Sequence, residues 1–209
     1  MTPTLHHASA YIGGPLKRAV DIVASCAGLL IAAPLLLGVG LWVLVVSPGP
    51  LIFRQTRVGL HEQPFEILKL RTMAIKQPAG AGNVTVKNDA RLFRGAAFIR
   101  ALKIDELPQL VNIMRGDMSL IGPRPTTADD HGQMTPQQRA RSLARPGLSG
   151  LAQISGNTSL SWPQRIAYDL DYVENATFFT DVRIAWATLW MIVTGRIGSH
   201  PADGNEWEA

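Results

Sequence analysis

From Ile22 to Val46 the chain carries no charged side chain. A helix of that length reaches about 37 Å, enough to cross a hydrocarbon core of roughly 30 Å. The run is too long for a cleaved signal peptide, and no small-residue cleavage site closes it. Two features oppose a straight span. Pro34 stands in the middle, where it removes an intrahelical hydrogen bond and costs roughly 3 kcal/mol unless the bend is used. Cations also flank both ends: Lys17 and Arg18 before, Arg54, Arg57, Lys69 and Arg71 after. Positive residues favour the cytoplasmic side, so a span would put one cluster on the wrong face. The sequence therefore predicts a re-entrant helix-break-helix hairpin over 18–46, with Pro34 as its break in the membrane.

The rest of the chain is organised around a second stretch, Lys103 to Pro125. Leu107, Leu110, Val111 and Met114 recur at helical spacing and predict one apolar face. Pro108 suits a first turn, and Gly116 after Arg115 suits a left-handed stop. Asp105 and Glu106 fall where this helix should begin. Adjacent acids there are ordinarily capping residues. Here Arg100 and Lys103 precede them, and Arg124 follows on the stiff Pro123-Arg124-Pro125 segment. A carboxylate so placed should stay ionised, as a nucleophile or a metal ligand must.

With 209 residues the chain suits one core-forming domain, and a net charge of +4 with a pI near 9.6 favours anionic partners. Those include nucleic acid, phosphorylated substrates and an anionic membrane. Cys26 is the sole cysteine, which excludes an intramolecular disulfide. Phe65–Met73 alternates and predicts a strand with Lys69 and Arg71 on one face, 76–90 reads as a flexible loop, and Phe93–Leu102 as a short basic helix. Phe178–Val193 reads as an amphipathic helix whose Trp186 and Trp190 lie four apart, at a membrane interface or against the core.

These strings together resemble the bacterial sugar transferase family, the small monotopic polyprenyl-phosphate phosphoglycosyl transferases. The resemblance runs from Lys17 to about Gly195. It rests on Lys17-Arg-Ala-Val-Asp21, on Gly49-Pro-Leu-Ile-Phe-Arg-Gln-Thr-Arg-Val-Gly59, and on Lys69-Leu-Arg-Thr-Met73. It continues in Asp105-Glu-Leu-Pro-Gln-Leu110, Gly116 to Pro125, Arg145-Pro-Gly-Leu-Ser-Gly150 and Asp171-Tyr-Val173. Two departures stand out: Leu151 replaces the family's usual Trp before Ala152-Gln153, and Asn157 replaces the usual Arg after Gly156.

The resemblance implies transfer of a sugar-1-phosphate from a UDP-sugar to undecaprenyl phosphate, with release of UMP. Asp105 matches the nucleophile, Glu106 the second member of the dyad in a supporting acid/base or orienting role, and Mg²⁺ is expected on Asp105. Lys69, Arg100 and Arg124 match substrate-binding positions, with Arg145, Gln153 and Asn157 as further candidates. The location implied is the cytoplasmic face of the bacterial inner membrane, as a monotopic protein, and a homodimer is compatible with it.

The expected architecture is α/β with helices predominating. A flexible tail at 1–17 and the membrane hairpin precede a membrane-resting catalytic domain at 47–196, which has a small β component and interfacial amphipathic helices. A disordered tail closes the chain at 197–209. Two other classes compete: an inactive membrane-anchored scaffold of a glycan-assembly complex, which intact Asp105 and Glu106 oppose, and a basic nucleic-acid-binding module. Five Trp and three Tyr would allow base stacking, yet no nucleic-acid motif is recognisable and the partners expected include no nucleic acid.

Overall fold

The computed structural model describes residues 7–74, 91–156 and 159–195. The loop expected at 76–90, Asn157 and the tail expected at 197–209 lie outside the described residues.

Helices α1 (Pro15–Val46), α2 (Ala96–Ala101), α3 (Gln109–Arg115), α4 (Ala128–Gly132), α5 (Pro136–Arg139), α6 (Leu151–Ile154), α7 (Trp162–Asn175) and α8 (Phe178–Val193) dominate. Strands β1 (Ile52–Val58) and β2 (Pro64–Leu70) form an antiparallel hairpin, in register from Ile52 opposite Leu70 to Val58 opposite Pro64. Strands β3 (Ser119–Ile121) and β4 (Gly147–Ser149) pair in parallel. Beside this pair the backbones come so close that a Cβ at Gly122 would collide with the Arg145 carbonyl and one at Gly147 with the Gly122 backbone. The Gly-Pro and Pro-Gly strings of the sequence are thus strand-contact devices. Gly116 takes φ of 98°, the left-handed stop expected after Arg115.

The hairpin expected over 18–46 is not what the structure displays. α1 is one element, with Pro34 inside it. Its inner face explains this: Lys17, Asp21, Ser25, Ala32, Gly40 and Val43 are buried along one stripe at steps close to four or seven. Pro34 is exposed, on the outside of that stripe. Its missing N–H therefore weakens the outer wall of the helix while the inner wall stays packed.

Polar bonds fasten α1 to the body at both ends. Near the start, Lys17 Nζ lies 2.6 Å from Asp181 Oδ2, Arg18 donates to the Ile113 and Met114 carbonyls, and Asp21 Oδ1 accepts from Ser119 Oγ and Leu120 N. At the other end, Arg71 donates to Ser47 Oγ and to the Ser47 and Pro50 carbonyls.

Within the tail expected at 1–17, whose first six residues lie outside the described residues, residues 9–12 are fastened to the body. Ser9 N donates to the Val173 carbonyl, Ser9 Oγ to that of Ala176, Tyr11 OH reaches Asp181, and Ile12 enters a core with Ile121, Tyr172, Val173 and Ile184. Burial of Ile12 offsets the entropy of ordering the residues around it.

The helix carrying the second sequence stretch differs in detail. Residues Ile104–Glu106 form a 3₁₀ turn, and α3 starts only at Gln109, behind Pro108. Its buried face is Gln109, Leu110, Asn112 and Ile113, whereas Met114 is exposed and Val111 half-buried. Asn112, fully buried, makes the difference. Its amide donates to the Glu66 carbonyl and Asp117 and accepts from Leu68 N, which sutures α3 to β2. Sequence periodicity counts only apolar residues and misses such a side chain.

Candidate active site

The strand hairpin sets one wall. Residues opposite each other in an antiparallel pair share a face. Phe53, Gln55 and Arg57 on β1 therefore project with their partners Lys69, Ile67 and Phe65 on β2. The 3₁₀ turn Ile104–Glu106 sets the second wall, and the segment Pro123–Pro125 after β3 the third.

The turn is entered through Lys103 at φ 58° and ψ 20°, a left-handed conformation costly for a residue with a Cβ. That strain, with Ile104 anchored in a core of Val43, Leu70 and Ile99, holds the next two side chains inward. Asp105 and Glu106 are both buried.

Glu106 is the electrostatic hub. Its Oε1 meets Lys69 Nζ at 3.2 Å, Arg124 at 3.2 Å and Lys103 Nζ at 3.9 Å. Burial alone would raise its pKa, but Arg124, Lys69 and Lys103 outweigh burial and hold it well below the ordinary range. Lys69 is pulled down by burial and held up in part by Glu106.

Asp105 differs. Burial, then the neighbouring Glu106 charge, raises its pKa against the opposing pull of Lys69, Lys103 and Arg100. Its Oδ1 is buried and has no hydrogen-bond partner among the described residues. The expectation of a carboxylate held ionised fits Glu106, whereas at Asp105 burial and the Glu106 charge shift the balance the other way.

The structure brings Asp105, Glu106, Lys69, Arg100 and Arg124 into one electrostatic neighbourhood. Arg145 is engaged elsewhere: its Nε donates to the Gly116 carbonyl, supporting the turn after α3. Gln153 lies on α6 with its amide buried, its Oε1 packed close to the Gly150 backbone. Lys103, Arg57 and Gln109 were not singled out as site residues from sequence, although each stands inside or beside a quoted motif. Arg141 was missed outright. Its guanidinium pairs with Asp169 and also donates to the Arg124 carbonyl, so it holds the segment that presents Arg124.

Among the described residues no group of three His, Cys, Asp or Glu could hold a metal ion. A Mg²⁺ site can nonetheless use one or two carboxylates and complete its shell with substrate phosphate oxygens and water. The unpartnered Asp105 Oδ1 fits that donor set.

A carboxylate paired with three cations, a second with one oxygen lacking a hydrogen-bond partner among the described residues, and further cations beside a cleft are groups suited to phosphoryl transfer. The chain belongs to the bacterial sugar transferase family, whose match covers residues 12–195. It is 43% identical over 198 residues to the UDP-glucose:undecaprenyl-phosphate glucose-1-phosphate transferase of Caulobacter vibrioides, covering 87% of this chain and 74% of that one. It is 39% identical over 186 residues to the exopolysaccharide production protein PSS of Rhizobium leguminosarum bv. phaseoli, covering 83% and 93%. It is 36% identical over 186 residues to the UDP-N-acetylgalactosamine-undecaprenyl-phosphate N-acetylgalactosaminephosphotransferase of Aeromonas hydrophila, covering 86% of this chain but only 44% of that one.

Proposed function

We propose that this chain transfers a sugar-1-phosphate from a UDP-sugar to undecaprenyl phosphate, releasing UMP, and so begins assembly of an exopolysaccharide or related membrane-bound glycan. The observation that carries the reading is the unequal dyad: Glu106 locked by three cations, and beside it a buried carboxylate with a bare oxygen. Family membership and the relatives' names support the substrates. The names that give a sugar differ in it, glucose in one and N-acetylgalactosamine in another, so the proposal is a UDP-sugar without a choice among them.

Asp105 Oδ1 attacks the β-phosphorus. An Oδ–P bond forms, the bond from phosphorus to the bridging oxygen breaks, and UMP leaves with the electron pair. A phosphate oxygen of the lipid then attacks the acyl phosphate and restores the carboxylate. Splitting the transfer lets two bulky, anionic substrates use one set of cations in turn. Mg²⁺, held by Asp105 and the diphosphate, would supply further neutralisation of the transferring oxygens. Glu106 is ionised too firmly to shuttle a proton near neutral pH, so its role is to hold Lys69 and Arg124 in place.

The test is intact-mass spectrometry of purified protein with Mg²⁺ and a panel of UDP-sugars, without lipid. A mass increase of one sugar phosphate with UMP release is expected. Absence of adduct, UMP and lipid product across the panel, even with undecaprenyl phosphate, would favour the scaffold reading. The rate of UMP release should also climb with pH through an apparent pKa above the ordinary aspartate value, because burial and Glu106 raise Asp105.

We also propose that the protein lies on one membrane face. α1 is the candidate membrane helix, and its outer side exposes Leu30, Ile31, Leu37 and Val45. On α8, Trp186 is 71% and Trp190 56% exposed, in one stripe with Phe179, Val182 and Val193, so the indoles do not pack on the core. Bonds between the body and α1 at both Lys17 and Ser47 support a helix that does not cross the bilayer. With Cys26 replaced by Ala, cysteines introduced at Gly13 and Pro48 should both resist an impermeant periplasmic thiol reagent; labelling of one alone would restore the span.

A further inference from the structure

The cleft beside the dyad extends past the residues assigned above. Arg57, Gln109 and Pro125 line it together with Lys69, Arg124 and Ile67. Arg57 enters because strand register puts it on the face of Lys69 and Ile67. Its guanidinium donates to Gln55 Oε1 at 2.7 Å and to the Pro125 carbonyl at 3.4 Å, both uncharged. Its Nε is buried with no partner among the described residues. Its charged neighbours are Arg124, a like charge, and Asp130, whose Oδ2 accepts from Thr127 Oγ1 and N at the start of α4 and which is not within ion-pair distance of Arg57. Gln109 is only 2% exposed, and its Nε2 likewise has no partner among the described residues.

Three cations thus border the cleft, and the carboxylate that pairs with two of them, Glu106, leaves Arg57 without one. A half-buried guanidinium with a buried Nε that has no partner among the described residues, beside an unused buried amide N–H, is completed by an anion. The order of groups says which anion. Asp105 has Glu106, Lys69, Lys103 and Arg100 as charged neighbours, whereas Arg57 has Arg124 and Asp130. Lys69 and Arg124 pair with Glu106, the residue after the nucleophile, and line the same cleft as Arg57, whereas Asp105 does not line it. In an in-line displacement the leaving oxygen departs on the side away from the nucleophile.

We propose that Arg57 and Gln109 form the subsite for the donor's α-phosphate, the phosphate that leaves with the nucleoside. The inference rests on the transferase reading. As the phosphorus–oxygen bond breaks, the electron pair and its charge pass to that phosphate. Arg57 neutralises it with no proton transfer, and the Gln109 amide N–H donates to it. The acceptor lipid also carries a phosphate, and the two half-reactions separate these sources.

The experiment compares the parent with Arg57→Gln and Gln109→Ala, each checked by thermal melting. UMP and uridine binding are measured by calorimetry, and UMP release from the UDP-sugar is followed without lipid. Transfer from preformed adduct to undecaprenyl phosphate is timed separately. For Arg57→Gln the preference for UMP over uridine should fall by about tenfold and the donor KM rise by a similar factor. For Gln109→Ala the expected loss is about threefold, and lipid KM should not change for either. An unchanged UMP-to-uridine ratio in both variants overturns the subsite. A rise in lipid KM with donor KM unchanged overturns it in favour of the acceptor phosphate. If Arg57→Gln does not fold, Gln109→Ala alone decides. If the parent releases no UMP from any UDP-sugar, the transferase reading fails, while the UMP and uridine comparison still reads the subsite.

Discussion

Asp105→Asn is expected to lose turnover by roughly 10⁴-fold or more, to carry no sugar-phosphate adduct, and yet to melt no lower than the parent. The activity loss follows from removing the nucleophile, whose role no neighbour can assume: Glu106 Oε1 is occupied by Lys69, Arg124 and Lys103. The stability follows from linkage. Burial and Glu106 raise the Asp105 pKa, so the folded protein holds this proton more tightly than the unfolded chain does. Between the unfolded and folded pKa values the folded state binds more protons, and stability falls as pH rises through that window. The whole penalty is present only above the folded-state pKa. The amide is isosteric and uncharged, and so relieves it. Melting curves at neutral pH and mass spectrometry on the same sample check both halves. A variant that melts well below the parent would mean that Asp105 is a structural acid.

Asp169→Asn is expected to cost roughly 3–5 kcal/mol, because it leaves Arg141 charged and unpaired in the interior. For a chain of this size that lowers the midpoint by roughly 10 °C. Both residues are buried, and Arg141 Nε and a terminal guanidinium nitrogen reach Asp169 Oδ2 at 2.9 and 2.5 Å. The pair joins α7 to the turn at Ala140–Leu143. Arg141 also donates to the Arg124 carbonyl at 2.7 Å and to Thr126 Oγ1 at 3.4 Å. The double variant Arg141→Met with Asp169→Leu should regain much of the stability, since no charge is then left unpaired. It should still show a raised donor KM, because the Arg124 carbonyl has lost its donor. Chemical denaturation of the two variants, with donor kinetics on the double variant, distinguishes a positioning role from a merely structural one. A cost below about 1 kcal/mol for Asp169→Asn would show that Arg141 finds another partner, and the positioning argument would go with it.

Much of this protein was legible in its sequence. The charge-free run announced α1 because it is long and continuous, and the alternation at Phe65–Met73 announced β2 because a half-buried strand imposes a period of two. Helix α8 was readable over its full extent. Asp105, Glu106, Lys69 and Arg124 could be named from ordered motifs, and the fold brings them together. What failed depended on which face of an element meets which neighbour. Pro34 reads as a break in one dimension, but it falls on the outside of a helix whose inner stripe is packed from Lys17 to Val43. Residues 9–12 read as a tail because three hydrogen bonds to distant residues and one buried isoleucine leave no periodic trace.

The sequence by itself determined the long apolar helix, the chemical types at the site and their order along the chain, since these rest on local composition and spacing. Only the tertiary structure decided how those types share charge. Three cations from a strand, a turn and a proline-stiffened segment converge on Glu106 rather than on Asp105, and strand register adds Arg57 to their face. Charge interaction depends on separation through space, and a linear pattern of residues does not contain that distance.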